Sequence, residues 1–218
     1  MQEYLASTPF LDFENEALQN FIAPLRSLSS DKEKAVQLYY KVRDAFLYDP
    51  YHLDLTPEAL KASQILTKKR AWCVEKCIVM AAGARALGIP TKLGYANVIN
   101  HIGVEKLMHY LRHEEIAFHG FVELYIEGKW VKCSPTFDTR VCRIAKVEPL
   151  DFDGEKDALL QAFIGEEQFM EYTKFHGTFA DVPLLLMNQE MYNYYPHLFK
   201  TVYNEKGFSF KHLPMGEF

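Results

Sequence analysis

The sequence predicts an α+β fold in which helices pack against an antiparallel sheet. Residues 31–48 carry apolar side chains close to the 3.6-residue period of a helix. A second helix is predicted to end at Gly88 and Pro90, because glycine favours the left-handed conformation past a helix end and proline cannot continue a helix. Residues 91–99 and 116–137 instead have strand and hairpin patterns.

The composition of the chain argues against several classes of protein. The chain has 218 residues, 49% hydrophobic and 24% charged, which is enough to bury a core. Its net charge of −5 and lack of a long basic stripe argue against nucleic acid as a partner. The first twenty residues contain acids and do not look like a secretory signal, and the longest apolar runs fall short of the roughly twenty residues that span a bilayer. We expect a cytoplasmic protein without a membrane partner.

The cysteines and histidines indicate neither a disulfide framework nor a metal site. Four cysteines lie at positions 73, 77, 133 and 142, too few for a disulfide framework in a chain this long, which favours a reducing compartment. Neither the first nor the second pair has the spacing of zinc ligands. His109 and His113 would share a helix face but lack the glutamate of the HExxH motif. No metal and no cofactor are expected.

The first half of the chain is predicted to alternate helices with an irregular connector. The helix of residues 31–48 has Ser30 or Asp31 as its N-cap. A connector with two prolines follows, with a short helical pattern after Pro57. The helix that ends at Gly88 begins near Cys73.

The second half is predicted to contain a strand, a short helix, a hairpin and a helical tail. The short helix, residues 104–112, could cover a site as a lid, and the hairpin turns at residues 127–129. Beyond Pro149, residues 153–163, 165–175 and 181–199 have helical patterns. We predict one domain over residues 1–218, made of an N-terminal segment (1–30), a core (31–140) and a mostly helical extension (141–218) packed on the core.

Cys73 and His119 are the candidate nucleophile and base. Cys73 falls at the first turn of its helix, where the macrodipole and unpaired N–H groups favour the thiolate. Cys77 lies one turn further, on an apolar stripe, and is predicted to be a core residue. A thiol nucleophile needs an imidazole to take its proton, and His119, at the head of a strand, suits that role.

Two blocks of the chain resemble the transglutaminase-like superfamily. That family reads G-x-C-x-x-x-A, then a helix ending R-A-x-G-I-P-A-R, then H-A-W-V-E-V-Y, a short turn, G-x-W and D-P-T. The matching stretches here are AWCVEKC (71–77), RALGIPTK (85–92), HGFVELY (119–125) and GKWVKCSPT (128–136). Together they cover roughly residues 31–140.

The resemblance implies a papain-like core in which a nucleophile helix packs on an antiparallel sheet. Cys73 would attack the carbonyl of a peptide or protein amide, and His119 would act as acid and base. Hydrolysis would make the protein a cysteine peptidase or amidase, and aminolysis a transglutaminase. Trp130 is expected to pack beside the site. Trp72 either lines the pocket for the acyl group or is packed in the core without a role in binding. A module that binds peptides without catalysis is the alternative from another class.

The third catalytic position departs from the family. The family has aspartate before Pro-Thr, and this chain has Ser134. Three interpretations are open: Ser134 accepts a hydrogen bond from His119, Asp138 reaches back to supply the carboxylate, or the site is a relic retained for binding. A second departure is Ala71, where the family has glycine two residues before the cysteine.

Overall fold

The computed structural model describes residues 1–100, 105–159, 170–204 and 207–212. Its α-helices are α1 (Glu16–Ile22), α2 (Asp31–Ala45), α3 (Ala62–Ile65), α4 (Cys73–Ala86), α5 (Glu105–Leu111), α6 (Thr139–Ala145) and α7 (Leu184–Tyr194). Its strands are β1 (Leu47–Tyr48), β2 (Arg70–Ala71), β3 (Thr91–Asn100), β4 (Glu115–Ile126), β5 (Lys129–Cys133), β6 (Met170–Phe179), β7 (Phe199–Asn204) and β8 (Gly207–His212). Short 3-10 turns cover Gln2–Tyr4, Ala23–Leu25 and Pro196–Leu198.

A four-stranded antiparallel sheet packs against the central helix α4. The strand order is β5-β4-β3-β6, and β4 pairs with both β3 and β5. Residues 73–85 of α4 are all buried, because the sheet covers one side of the helix and α1, α2 and α3 contact it elsewhere. Val122 and Leu124 of β4 join Leu93 of β3 in the same core as α4. The predicted α+β class, with the nucleophile helix on an antiparallel sheet, is confirmed.

The predicted helices and strands of the first 140 residues are present, with shifted boundaries. Ser30 caps α2 by accepting a hydrogen bond from the Glu33 N–H at 3.1 Å. The helix ends at Ala45 rather than near Tyr48, because residues 47–48 pair with residues 70–71 as two short parallel strands. In the connector, α3 begins at Ala62, five residues after Pro57.

The C-terminal extension is less helical than predicted. Residues 170–175, expected to be helical, belong to β6, which pairs along the free edge of β3 from Leu93 to Asn100. The open edge supplies partners for their backbone groups, and this tertiary pairing overrides the helical pattern. Residues 153–159 are irregular rather than helical, while residues 160–169 lie outside the described residues. The helix predicted within 181–199 is present as α7.

Helices α5 and α7 both contribute to the main core. Met187 and Met191 of α7 and Tyr195 just after it are buried in the cluster that contains α4. Leu107 and Leu111 of α5 join the same cluster. Of the short helix predicted at 104–112, α5 is observed, and Val104 lies outside the described residues. The organisation of residues 1–218 as one domain stays a prediction.

Candidate active site

Cys73 is the first residue of α4, as the sequence predicts. Trp72 is the N-cap, with extended backbone angles of φ −94° and ψ 176°. The buried carboxylate of Glu75 accepts a hydrogen bond from the Trp72 N–H at 3.2 Å and forms an ion pair with Lys68. These contacts fix the start of the helix one residue before the thiol, because a carboxylate in the first turn satisfies backbone donors that have no partner within the helix.

Gly120 allows β4 to cross close to the first turn of α4. A Cβ atom at position 120 would lie 3.2 Å from the Val74 Cα and 3.3 Å from the Cys73 carbonyl oxygen. Any larger residue would push the helix away from the strand. Because His119 directly precedes this contact, the strand brings its backbone to the helix terminus that carries the thiol.

Burial dominates the ionisation of the Cys73 thiol. The residue is 2% exposed, and desolvation raises the pKa of its thiol to about 11. The backbone N–H groups of Gly120 and Val74 act in the opposite direction by stabilising the thiolate. The sequence predicted that the helix terminus would favour the thiolate, but in this structure the desolvation penalty outweighs that effect.

The His119 ring is buried and held by Ser134. Desolvation lowers the pKa of the imidazole to about 4, so the ring is neutral at pH 7. Its Nε2 lies 3.2 Å from the Ser134 Oγ. The Ser134 hydroxyl donates to the Gly120 carbonyl at 3.1 Å, and a carbonyl can only accept. The same hydroxyl lies 2.8 Å from the Thr136 Oγ1, where either oxygen can donate. When the Ser134 proton is on the Gly120 carbonyl or on Thr136, Ser134 Oγ accepts from Nε2–H and the lone pair of His119 is on Nδ1.

Asp138 does not supply a carboxylate to His119. It is the N-cap of α6, where its Oδ1 accepts hydrogen bonds from the Arg140 N–H at 3.0 Å and the Val141 N–H at 3.1 Å. Its Oδ2 accepts from the Tyr48 N–H at 2.7 Å. Capping a helix and anchoring β1 occupy both oxygens, so the expectation that Asp138 reaches back is not met. The contact expected from Ser134 is present.

Cys73 and His119 line two different cavities. Cys73 lines an apolar recess with about 320 Å³ of unfilled space. His119 lines a smaller cavity of about 190 Å³ together with Ser134 and Thr136. Among the described residues no hydrogen bond joins the thiol to the imidazole. In this structure the two groups lie at the same helix–strand junction without forming an ion pair.

The two tryptophans occupy very different places. Trp72 lines the recess beside Cys73, and its buried indole N–H has no hydrogen-bond partner within the described part of the chain. Trp130, expected beside the site, pairs with Tyr125 at the far end of the β4–β5 hairpin, and its ring lies 3.9 Å from the Lys92 Nζ. Tyr125 lies six positions along the strand from His119, a distance of roughly 20 Å. Trp130 therefore packs on the hairpin and not at the site.

Two residues just outside the predicted set determine the backbone around His119. Ala96 pairs with His119 and Val98 with Ile116, so two residues of β4 lie opposite the single residue Asn97. Within this bulge Phe118 has a φ of +59°, which is rare for a bulky residue. The Asn97 Oδ1 accepts from the Phe118 N–H at 3.1 Å, in place of a strand carbonyl. In the sequence, the only sign of this bulge is the polar residue Asn97 within a strand-like stretch.

The described residues contain no group of three or more His, Cys, Asp or Glu side chains arranged to hold a metal ion. No disulfide joins the four cysteines, all of which lie in the described ranges. Across those same ranges, every helix is too short or too polar to cross a membrane.

Comparisons with protein families and with solved structures show what this chain is similar to. The model of the transglutaminase-like superfamily matches residues 19–135, just over half of the chain. No protein of curated function matches the sequence. Among solved structures, a candidate cysteine protease from Cytophaga hutchinsonii is similar at 15% identity and a TM-score of 0.48, over 95% of this chain. The chain spans 62% of that protein's length.

Proposed function

The chain belongs to the transglutaminase-like superfamily, and we propose that it is a cysteine hydrolase of amide bonds, a peptidase or amidase that acts through a Cys73 thioester. The observation that carries the proposal is the contact of Gly120 with the first turn of α4. It brings the backbone of His119 to the helix terminus at Cys73, and the Ser134 contact holds the His119 ring through Nε2.

Cys73 and His119 carry out different steps of the proposed reaction. His119 takes the thiol proton, and the sulfur attacks the amide carbonyl carbon. The resulting oxyanion faces backbone N–H groups at the start of α4, and His119 then gives its proton to the leaving nitrogen as the C–N bond breaks. Water, deprotonated by His119, attacks the thioester, the C–S bond breaks and the carboxylic acid leaves. The proton returns to the thiol.

Substrate entry must change the resting state before this chemistry begins. A thiol pKa of about 11 beside an imidazole pKa of about 4 strongly disfavours proton transfer. Both shifts come from desolvation, so admission of water or polar substrate groups brings the two pKa values closer together. Movement of the α5 and α7 side chains that cover Cys73 is the step that admits substrate.

Release of amine from a panel of peptides and simple amides tests the proposal. We expect Cys73→Ala and His119→Ala to abolish turnover. Cys77→Ala is the matched control, because Cys77 is a buried cysteine one turn further along the same helix. Equal rates for wild type and Cys73→Ala would overturn the proposal. Incorporation of an added primary amine into the product would identify a transglutaminase in place of a hydrolase.

A second candidate is a module that binds peptides without catalysis. It is favoured by the neutral, separately buried thiol and imidazole, and by Ser134 in place of a carboxylate beside His119. This candidate predicts that Cys73→Ser leaves peptide affinity unchanged. It also predicts that Cys73 reacts with thiol reagents no faster than the other buried cysteines.

A further inference from the structure

The apolar recess beside Cys73 is the feature that the reaction scheme leaves unused. Its walls come from the connector after β1, the start of α4, helix α5, the start of β4 and helix α7. We propose that this recess holds the side chain of the acyl group, and that the substrates are amides of an acyl donor with one large aliphatic or aromatic side chain. The proposal rests on the hydrolase function and names its substrate class.

The chemistry of the wall selects against polar side chains. Leu107 and Leu111 of α5, Ala117 of β4 and Met191 of α7 present only hydrocarbon or thioether. The Tyr195 hydroxyl is fully used, since it accepts from the Ala117 N–H at 2.6 Å and donates to the Glu115 carbonyl at 2.7 Å. Among the residues that the structure describes, none with a charged side chain lines the recess. Trp72 also lines the recess, and its indole N–H has no partner among the described residues. This single neutral donor does not offset the hydration that a charged substrate group would lose there.

Charged residues of the same connector line a different space. Asp49, His52 and Asp54 line an open cleft, together with Lys68, Arg70 and Glu75. Pro50 and Leu53, from the same stretch of chain, line the recess instead. The connector therefore separates a polar cleft from an apolar recess, and only the recess includes the thiol.

The recess is almost filled in the resting structure. Of its roughly 320 Å³ of unfilled space, which includes space open to solvent, only about 20 Å³ can hold the centre of a water molecule. A substrate side chain therefore enters only as the wall side chains of α5 and α7 move apart, and it then occupies the space that they vacate. Burial of a leucine or phenylalanine side chain in such a space is expected to raise the rate of capture by roughly 10- to 100-fold over a charged side chain of similar length.

Stoichiometric alkylation of Cys73 tests the recess without requiring turnover. The probes are N-acetyl amino-acid chloromethyl ketones with Leu, Phe, Asp or Lys side chains. In each case the thiol sulfur displaces chloride to form a thioether, and the thiol proton passes to solvent. The second-order rate is measured by mass spectrometry with peptide mapping, and is normalised to the rate with a small free thiol.

A matched pair of variants on α7 assigns the effect to the recess. Met191 lines it, whereas Met187, one turn earlier, is equally buried but does not. We expect the Leu and Phe probes to label Cys73 at least roughly tenfold faster than the Asp and Lys probes. Met191→Ala should shift the preference towards a larger naphthylalanine probe, and Met187→Ala should leave the ratio unchanged.

Equal normalised rates for apolar and charged probes, or no labelling of Cys73 by any probe, would overturn the inference. A shift of the ratio by Met187→Ala as large as that by Met191→Ala would also overturn it. If the apolar preference is present and no amide is turned over, the recess assignment stands and the hydrolase proposal fails. If amides are turned over and the probes show no apolar preference, the hydrolase proposal stands and the recess assignment fails.

Discussion

At the scale of single residues, Ser134 orients the His119 ring without supplying a charge to it. A hydroxyl orients the ring through the 3.2 Å contact to Nε2 but brings no negative charge. In triads that use a carboxylate, that charge stabilises the imidazolium formed during proton transfer. Here the imidazole remains neutral at rest, with a pKa of about 4 that burial alone explains.

Replacement of Ser134 should change the pKa and the rate in defined directions. Ser134→Asp should raise the pKa of His119, because a carboxylate beside Nε2 stabilises the imidazolium. Ser134→Ala leaves Nε2–H without its acceptor and should lower turnover roughly tenfold. Ser63→Ala is the control, since Ser63 is equally buried but bonds to Asp12. NMR titration of the His119 ring measures its pKa in the wild type and in the three variants. An identical pKa in all four proteins would contradict the effect expected of Ser134→Asp.

Lys76 is a fully buried lysine in the nucleophile helix. Its Nζ donates to the Arg43 carbonyl at 2.9 Å. Burial lowers the pKa of its ammonium group to about 8, and the charges of Asp138 and Asp44 partly offset this effect. The folded protein therefore loses this proton at a pH where the unfolded chain still holds it.

Lys76 should make the protein more stable as the pH rises from 8 to 10.5. In that window the unfolded lysine is protonated and the folded one is not, so the free energy of unfolding increases with pH. The lowering of the Lys76 pKa from 10.5 to about 8 corresponds to roughly 3 kcal/mol at most. Lys76→Met should lack this gain and be the more stable protein at pH 7.

Urea unfolding of the two proteins across this pH range measures the effect. Burial raises the pKa of the Cys73 thiol, which destabilises the folded state above pH 9, but this contribution is the same in both proteins and cancels in their difference. Parallel stability curves from pH 7 to pH 10 would show that Lys76 does not titrate in the folded state as proposed.

At the scale of elements, the bulge between β3 and β4 orients the strand that carries His119. Phe118 is held in the left-handed region, a conformation that costs roughly 1 to 3 kcal/mol. The buried Asn97 side chain supports it by accepting from the Phe118 N–H, and also bonds to His176 Nε2 at 2.7 Å. The irregular pairing is therefore built into the sheet next to the base.

Asn97→Ala should destabilise the protein by roughly 1 to 3 kcal/mol, because it leaves the buried Phe118 N–H without an acceptor. It should also alter the rate at which Cys73 is alkylated, since the backbone before His119 loses its support. Asn188→Ala is the matched control: Asn188 is also buried, but its side-chain oxygen accepts no hydrogen bond from any described residue. Equal losses of stability in the two variants, with equal alkylation rates, would contradict the role given to Asn97.

At the scale of the whole molecule, the C-terminal extension completes both the sheet and the cover of the thiol. Strand β6 pairs with the outer edge of β3, and α7 places Met191 in the wall of the recess. The transglutaminase-like match ends at residue 135, before either element. The extension is therefore part of the packing around the matched region.

Removal of residues 150–218 should leave an aggregating protein. The deletion strips β6 from the edge of β3 and uncovers the apolar residues of the recess, and exposed edges and apolar patches favour association. Size-exclusion chromatography and binding of a hydrophobic dye measure the outcome. A soluble monomer that melts at the wild-type temperature would show that the extension is dispensable.

Local patterns predicted the parts of the fold that depend on neighbouring residues. The apolar period, the N-cap at Ser30 and the stop at Gly88 and Pro90 defined α2 and α4. The hairpin was equally visible, because its turn and alternation lie within twenty residues. The strand β6 was missed because its partner lies about eighty residues earlier in the chain, where no local pattern records it.

The sequence by itself determined that a cysteine would begin a helix and that a histidine would lie on a strand, because helix ends and strand alternation are set by residues close in the chain. Only the tertiary structure decided that Asp138 caps α6, that Ser134 holds the His119 ring, and that Trp130 lies away from the site. It also decided that desolvation outweighs the helix terminus at Cys73. Burial and side-chain contacts depend on distant segments, and their energies exceed the local preferences.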